Sequence, residues 1–318
     1  MYYLGIDSGG TKAAFLLADE TGRVYARCRL PGCTVQAGRG EGVRRMLETG
    51  IAEIQRLAGI GKEDIASLGL GISGYGEGGG SEQETQKACD EAFIPGRSVC
   101  SLDAYIAWAG SLLFRPGVNI IAGTGSVVTG YTPDGRTARA GGWGAGCDEG
   151  SCTWIGRRVV EAFTKQADGR AERTPLYHLF REKFQFASDD VFNVYKLNRE
   201  VVRGGKGLAE LQMLLPEAWK AGDRTAREIY GMAADELVLG VEAVAVKLGL
   251  ESTAFPVSYS GGLFKAGPCI LEPLREKLDR HGRELVKPAY EPDAGAVLMA
   301  IRRIRPDYDV KQFVLKEE

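Results

Sequence analysis

The stretch "LGIDSGGTKAAFLL", residues 4–17, places an aspartate and a glycine pair between two apolar runs. Apolar runs on either side of a glycine turn predict a β-hairpin, because glycine tolerates the positive φ angles of tight turns. Asp7 ends the first run, where a carboxylate packs poorly but is well suited to holding Mg²⁺ or water. By itself the stretch fits either a plain hairpin or a turn whose backbone N–H groups bind phosphate.

The same order of features returns about 115 residues later. Residues 118–138, "VNIIAGTGSVVTGYTPDGRTA", give an apolar run, a Gly-Thr-Gly-Ser turn, a second apolar run and a turn around Gly135. The second glycine turn could serve only as a strand connection. If two related halves face each other across a cleft, the two turns can instead hold one polyphosphate between them, and the repeat favours this interpretation.

Predicted strands and helices alternate along the chain, which indicates an α/β layered fold. Three- and four-residue spacing of apolar side chains predicts a helix over 42–57. The pattern further along predicts a helix near 82–92, a strand over 98–102 and a helix over 104–114, and residues 154–249 are largely helical in pattern. A chain of 318 residues exceeds what one core usually supports. We therefore expect two α/β domains of related topology, 1–115 and 116–318. The second contains a helical insertion, and its last helix is free to pack back on the first.

Composition excludes several classes of protein. With 40 basic and 42 acidic residues the formal charge is −2, so nucleic acid is not an expected partner. There is no secretory leader pattern and no apolar run of roughly 20 residues, which predicts a cytoplasmic protein without a membrane span. The seven cysteines form no C-x-x-C pair and are expected to be free thiols. His178 and His281 are too few and too far apart for a zinc cluster or a histidine triad.

Asp103 stands where a predicted strand meets a predicted helix, in "SLDAYIAWAG". Aspartate is a preferred helix N-cap, and a cap alone would explain this position. The other interpretation is a general base that accepts a hydroxyl proton during phosphoryl transfer. Both fit the sequence.

The segment "GGWGAGCDEGSCTWIG", residues 141–156, contains six glycines around two adjacent carboxylates. A surface loop followed by a helix that Ser151 caps is one explanation. Adjacent carboxylates are costly to crowd together unless a cation or sugar hydroxyl groups bind them, so Asp148 and Glu149 also suggest a ligand site. Trp143 could offer an apolar face to a sugar ring.

A competing motif is "GYGEGG", residues 74–79, which matches G-x-G-x-x-G after a predicted strand. Asp103 follows Gly79 by 24 residues, as in a dinucleotide-binding fingerprint. A nicotinamide-dependent oxidoreductase is therefore an alternative, although it leaves the repeated hairpins and the Asp148 loop unexplained. The sequence contains no Walker A motif.

Taken together, five motifs resemble the N-acetylglucosamine kinase branch of the BadF/BadG/BcrA/BcrD ATPase family, within the actin, hexokinase and heat-shock ATPase superfamily. They occur in the family's order and extend over nearly the whole chain: "GIDSGGTK", "LDAYIAWAG", "IIAGTGSVVTG", "GGWGAGCDEGSCTWIGRR" and "YSGGLFK". The resemblance implies a duplicated actin-like (ribonuclease H-like) fold, with two domains around a nucleotide cleft.

The resemblance also implies roles for individual residues. Asp103 matches the family's catalytic aspartate, and Asp7 is expected to position Mg²⁺ with help from Asp148. The residues that match ATP contacts are Gly9, Gly10, Thr11, Lys12, Thr124, Gly125, Gly261, Gly262 and Lys265. The residues that match the sugar pocket are Ser126, Gly142, Trp143, Gly144 and Asp148, with Gln36 as a substitute for the family's usual sugar-binding asparagine.

Two departures from the family pattern keep other functions open. Cys147 replaces the glycine that usually precedes "DEGS", and the sugar-binding asparagine is replaced by the unrelated stretch "GCTVQAGRGEG". Glucosamine, N-acetylmuramic acid or a non-sugar role therefore remain alternatives to N-acetylglucosamine. Some family members activate acyl-CoA dehydratases or reductases and share an iron–sulfur cluster between two subunits, a role for which Cys147 and Cys152 are candidates.

Together with the motifs, the resemblance implies an ATP- and Mg²⁺-dependent kinase that phosphorylates the 6-hydroxyl of an aminosugar, with N-acetylglucosamine as the first candidate. In this reaction Asp103 deprotonates the hydroxyl that attacks the γ-phosphate. A homodimer is expected from the resemblance to the family.

Overall fold

The computed structural model describes residues 1–35, 40–144, 146–185, 187–190 and 206–316. The chain divides into two compact units. Unit 1 contains Met1–Arg115 and Pro288–Glu318, and unit 2 contains Pro116–Lys287. The sequence placed residues 288–318 in the second domain and allowed the last helix to pack on the first; in the structure this segment belongs to unit 1.

Unit 1 contains a five-stranded mixed sheet in the order β3-β2-β1-β4-β5. Its strands are β1 (Tyr2–Ser8), β2 (Lys12–Asp19), β3 (Val24–Pro31), β4 (Ile65–Ile72) and β5 (Ser98–Leu102). The first three form an antiparallel meander, whereas β4 and β5 run parallel to β1. The predicted hairpin is thus confirmed, with Ser8 opposite Ala13 at its tip.

The helices of unit 1 follow the predicted order. They are α1 (Glu41–Ala58), α2 (Ser81–Ala92) and α3 (Asp103–Leu112). The apolar face predicted for 42–57 is buried, because Leu47, Ile51 and Ile54 are inaccessible to solvent and pack in the core with the inward side chains of β1 and β4. The helix predicted to reach Phe114 ends two residues earlier, where Leu113 and Phe114 both adopt positive φ.

The C-terminal helix α10 (Pro292–Ile304) packs closely against β1, β4 and α3 of unit 1. Small residues make this approach possible. A Cβ atom at Gly5 would overlap the Asp293 carbonyl, one at Gly69 would overlap the Ala296 carbonyl, and one at Gly295 would overlap the Ile106 carbonyl. The chain end therefore stabilises the same sheet with which the chain begins.

Unit 2 repeats the sheet pattern of unit 1, in the order β10-β9-β6-β7-β8. Its strands are β6 (Gly117–Ala122), β7 (Ser126–Tyr131), β8 (Thr137–Gly141), β9 (Pro256–Ser260) and β10 (Glu284–Leu285). Again the first three strands form an antiparallel meander, and two later strands join parallel to the first. The duplication predicted from the two glycine turns is confirmed.

The helices of unit 2 form most of its core. They are α4 (Cys152–Ala167), α5 (Pro175–Phe184), α6 (Lys206–Leu211), α7 (Leu215–Lys220), α8 (Arg224–Leu248) and α9 (Pro268–Arg280). In the part of the chain that the structure covers, no helix has the length and apolar character needed to cross a membrane. All seven cysteines are free thiols, as expected.

Candidate functional site

The β1–β2 turn of unit 1 presents backbone and a cation to solvent. The Gly9 N–H donates to the Lys12 carbonyl at 3.0 Å, which closes the turn. Gly10, Thr11 and Lys12 are exposed, and a Cβ atom at Gly9 would meet nothing within 4 Å. The turn is therefore open to a ligand as large as a phosphate.

Asp7 lies directly before this turn and is half-buried. Burial is the main cause that raises the pKa of its carboxyl to about 7, and the negative charge of Asp103 raises it further. The positive charge of Lys12 lowers the pKa of Asp7, while the negative charges of Asp293 and Glu291 raise it. An acid in this position gains from any cation that binds beside it, because its charge is poorly compensated by the protein.

Asp103 is the first residue of α3, and the capping position is Leu102. Its Oδ1 accepts the N–H of the next residue, Ala104, at 2.9 Å. An N-cap side chain bonds to the N–H two or three residues ahead, so the N-cap interpretation does not hold. Burial and the charge of Glu77 raise the pKa of this half-buried carboxyl to about 6, against the lowering effect of the Ala104 bond.

Asp7 and Asp103 thus form a pair of interacting acids within unit 1, each with a pKa displaced toward neutrality. A carboxylate whose pKa lies near the working pH can take up a proton during a reaction and release it afterwards. Both residues are candidates from the sequence, Asp7 as a ligand for Mg²⁺ and Asp103 as a general base. The sequence did not indicate Asp293, which lies in the first turn of α10, is 5% exposed, and has its Oδ2 3.6 Å from the Arg27 Nε.

In unit 2 the β6–β7 turn, residues 123–126, is fixed by the start of α4. The Gly123 N–H donates to the Gly125 carbonyl at 2.8 Å. The Cys152 N–H donates to the Gly123 carbonyl at 2.8 Å, and the Thr153 hydroxyl donates to the Thr124 carbonyl at 2.7 Å. These two contacts from α4 were not foreseen from the sequence, and they orient the carbonyls of the turn inward.

Asp148 joins the same turn to the glycine-rich loop 141–151. Its Oδ2 accepts the Ser126 N–H at 3.2 Å, while its Oδ1 accepts the N–H groups of Trp143 at 2.7 Å and Gly144 at 3.2 Å. The Ser126 hydroxyl in turn donates to the Glu149 carbonyl at 2.6 Å. Asp148 is 5% exposed, so the network is shielded from water.

The described residues of the glycine-rich loop, 141–144 and 146–151, therefore have a defined structure and do not form a loose surface segment. Ser151 does cap α4, as its Oγ accepts the Trp154 N–H at 3.2 Å. The Trp143 side chain is 78% exposed, and the Arg139 guanidinium lies 5.9 Å from the centre of its ring. The loop presents an aromatic face next to the turn at residues 123–126.

The third glycine segment of unit 2 follows β9. Gly261 has φ 107°, and a Cβ atom there would overlap the Ala122 carbonyl at the end of β6. Gly262 is exposed, with its N 3.9 Å from the position that a Cβ of Gly123 would take. Lys265 lies exposed in a 3₁₀ segment, Gly262–Ala266. Unit 2 thus brings together the predicted residues of its two turns and its loop, while Gln36 lies outside the described residues.

The dinucleotide-like segment 74–79 connects β4 to α2, and Gly74, Gly76, Gly78 and Gly79 adopt positive φ. The strands on either side of α2 are parallel, as a dinucleotide-binding unit requires. The rest of the sheet, however, is an antiparallel meander, which that class of domain does not contain.

Comparison with known proteins identifies the chain's family. The model of the BadF/BadG/BcrA/BcrD ATPase family matches residues 4–300. The chain belongs to the BadF/BadG/BcrA/BcrD ATPase family. The resemblance inferred from the sequence motifs is thus confirmed.

Curated relatives of this ATPase family member include two sugar kinases. The present chain is 29% identical over 268 residues to an N-acetylmuramic acid/N-acetylglucosamine kinase of Clostridium acetobutylicum. The alignment covers 82% of this chain and 85% of the relative. The chain is 28% identical over 320 residues to an N-acetyl-D-glucosamine kinase of Dictyostelium discoideum, which covers 94% and 97%.

A solved structure confirms the fold of this ATPase family member. The structure comes from Chromobacterium violaceum and is named as a candidate N-acetylglucosamine kinase. It aligns with a TM-score of 0.74 at 24% identity, over 94% of this chain and 98% of the other. The predicted two-domain α/β fold of the actin-like class is confirmed.

Proposed function

We propose that this protein is an ATP-dependent kinase that transfers the γ-phosphoryl group to the 6-hydroxyl of an aminosugar, with N-acetylglucosamine as the first candidate. The observation that carries the proposal is the state of Asp103. It is a half-buried carboxylate at the start of a helix, with a pKa of about 6 and one oxygen bonded to the Ala104 N–H. The names of the two curated relatives support a sugar as acceptor.

In this proposal Asp103 acts as the general base. It accepts the proton of the sugar hydroxyl as the oxygen attacks the γ-phosphorus, and releases that proton to solvent after product leaves. A base of this kind typically contributes about 10²–10⁴-fold. Positioning and charge neutralisation supply the remainder of the rate enhancement.

Mg²⁺ fits the acidic residues of unit 1. Within the described ranges, no three His, Cys, Asp or Glu side chains gather into a metal site. Kinases hold Mg²⁺ with one or two carboxylates together with substrate phosphates, so a complete protein cage is not required. Asp7, with its pKa raised to about 7, would hold the ion. When bound, the ion neutralises charge on the transferring phosphate.

Nucleotide contacts are assigned to the glycine turns. Backbone N–H groups in such turns bind phosphate oxygens without a side chain in the way. The openness at Gly9 and Gly262, where a Cβ would meet nothing within 4 Å, supports this assignment. The proposed contacts are Gly9, Gly10, Thr11, Lys12, Thr124, Gly125, Gly261, Gly262 and Lys265.

Sugar contacts are assigned to the Asp148 network and its loop. Trp143 offers an exposed ring face, which suits the apolar face of a pyranose. Ser126, Gly142 and Gly144 line the same region of unit 2, and Gln36 is retained as a candidate sugar ligand. A homodimer, which rests on the resemblance, and a cytoplasmic location, which rests on the sequence pattern, also stay predictions.

The structure weakens the iron–sulfur alternative. A cluster shared between subunits needs exposed, easily ionised thiols. Cys147 is exposed, but Cys152 is 6% exposed in the first turn of α4, where burial raises the pKa of its thiol to about 11. The pair therefore lacks a second accessible ligand.

A coupled assay of ADP release tests the function. The purified chain is assayed with ATP and Mg²⁺ against glucose, glucosamine, N-acetylglucosamine, N-acetylmannosamine and N-acetylmuramic acid. We expect sugar-dependent ADP release, highest with N-acetylglucosamine. ADP release that is equal with and without every sugar would contradict the proposal. A colourless preparation without absorbance near 400 nm would further separate the kinase from the iron–sulfur activator.

A further inference from the structure

Two thiols of unit 1 lie in contact across a helix–strand interface. Cys89 is on α2, Cys100 is on β5, and their Sγ atoms are 3.5 Å apart. The same interface is held by the Gln86 side chain, whose Nε2 donates to the Ser98 Oγ at 2.9 Å. A disulfide requires a sulfur separation of about 2.05 Å, so roughly 1.5 Å of closure separates the present contact from a covalent bond.

The two thiols differ in access to solvent. Cys89 is fully buried, whereas Cys100 is half-buried. The contact with Cys100 and burial together raise the pKa of the Cys89 thiol well above its ordinary value. A reagent from solvent therefore reaches Cys100 first, and Cys89 is in place as the second thiol. Cys89 thus lies where a resolving cysteine would lie, beside the more accessible thiol.

We propose that Cys89 and Cys100 are an oxidisable dithiol pair, which a small-molecule disulfide converts into an intramolecular disulfide. The Cys100 thiolate attacks one sulfur of the reagent, whose S–S bond breaks and releases one thiol. Cys89 then attacks Cys100 in the mixed disulfide and releases the second thiol. The protein loses two protons and two electrons, and the disulfide reagent gains both as it becomes two thiols.

The bond would act on the strand that leads to Asp103. Cys100 pairs with Leu70 in the sheet, and Leu102 at the end of β5 is followed directly by Asp103. Drawing β5 toward α2 displaces this junction, and a shift of about 1 Å in a catalytic group can cost on the order of 10²-fold in rate. The effect on rate depends on the proposed function, whereas the bond and the displacement do not.

Peptide mapping tests the bond. The full chain in a Cys147→Ser background, which removes the exposed competing thiol, is treated with glutathione disulfide, alkylated and digested with trypsin without reduction. We expect the peptide of residues 88–97 linked to the peptide that begins at Ser98, and separation of the two by dithiothreitol. Cys89→Ser and Cys100→Ser are the matched controls, which should give no linked peptide.

Amide hydrogen exchange and kinase assays test the consequence. We expect residues 98–104 to change their exchange on oxidation and kcat to fall by about tenfold or more, with both reversed by dithiothreitol. Thiols that remain separately alkylated or glutathionylated would overturn the proposal, as would a linked peptide with unchanged exchange over 98–104. If the reduced protein phosphorylates no aminosugar, the proposed function fails, while mapping and exchange still decide the existence of the pair.

Discussion

The Asp148 carboxylate accepts the backbone N–H of Ser126 at 3.2 Å, while its other oxygen holds the N–H groups of Trp143 and Gly144. One buried side chain thus fixes the β6–β7 turn relative to the part of the glycine-rich loop that carries Trp143. In sequence Asp148 resembles a ligand residue, and in this structure both its oxygens accept bonds from the protein. We infer that the main role of Asp148 is to position backbone groups around the proposed sugar pocket.

Replacing Asp148 by Asn tests this role. The amide keeps the shape but places an NH₂ group opposite a backbone N–H, so at least one of the three bonds is lost. We expect kcat/KM for the sugar to fall by about 10–100-fold, with faster amide exchange at residues 126 and 143–144 even without ligand. The matched control is Asp307→Asn, the same change of side chain at an exposed position of unit 1. Unchanged exchange in Asp148→Asn would show that Asp148 does not position the loop.

The pH dependence of the reaction should report Asp103. A general base works only when ionised, so kcat/KM is expected to rise with pH through about 6 and then level off. The charge of Glu77 raises the pKa of Asp103, so Glu77→Gln should move the rising limb to lower pH. Because Asp7 and Asp103 interact, the limb belongs to the pair and can be broader than a single titration. A profile flat from pH 5 to 8 would contradict the base assignment.

Asp7 should reduce stability at neutral and alkaline pH. Its folded-state pKa, about 7, is above its ordinary value of 3.8, so the folded protein holds the proton more tightly than the unfolded chain. The free energy of unfolding therefore falls as pH rises from about 4 to 7. Asp7→Asn removes the effect and should stabilise the protein by about 2 kcal/mol at pH 8, after allowance for solvent screening, with little gain near pH 4.

Urea midpoints at pH 8 and pH 4.5 measure this difference. The exposed Asp307→Asn serves as the control and should show no such pH-dependent gain. If Asp7→Asn instead lowers the free energy of unfolding equally at pH 8 and pH 4.5, the Asp7 carboxylate makes a favourable contact in the folded protein.

The close approach of α10 to β1 predicts a strong effect of a single methyl group. Gly5→Ala places a Cβ against the Asp293 carbonyl and the Val297 backbone nitrogen, neither of which can move without displacing the helix. We expect a loss of about 2 kcal/mol or more in the free energy of unfolding. Gly231→Ala is the matched control, since a Cβ there meets nothing within 4 Å in the interior of α8. It should be neutral or stabilising by about 0.5–1 kcal/mol.

Much of the fold follows from local patterns. The repeated hairpins and the strand 98–102 could be predicted because apolar alternation and glycine turns act over a few residues. Apolar spacing predicts that the helix after Asp103 continues to Phe114, but Leu113 and Phe114 leave helical geometry with positive φ. The sequence does not predict these positive φ angles, because neither leucine nor phenylalanine favours the left-handed region.

The candidate site could be predicted only in part. Asp7, Asp103 and the glycine turns carry local signals, whereas the influence of Asp293 on Asp7 arises from packing of the last helix against the first strand. The hydrogen bonds of Cys152 and Thr153 to the β6–β7 turn likewise depend on how α4 packs on the sheet. Such contacts join distant parts of the chain, so they cannot be predicted from composition or from the spacing of residues.

Direct detection of the phosphorylated sugar tests the proposed kinase activity and the role of Asp103 as its base. The protein is incubated with Mg²⁺, N-acetylglucosamine and ATP labelled with ¹⁸O in the γ-phosphate, and the sugar is analysed by mass spectrometry and NMR. We expect labelled phosphate on the 6-oxygen. We also expect a rate about 10²–10⁴-fold lower in Asp103→Asn with ATP affinity retained, and a near-normal rate in the exposed control Glu82→Gln. Labelled inorganic phosphate with no labelled sugar phosphate, or an Asp103→Asn variant as fast as the parent, would contradict the proposal.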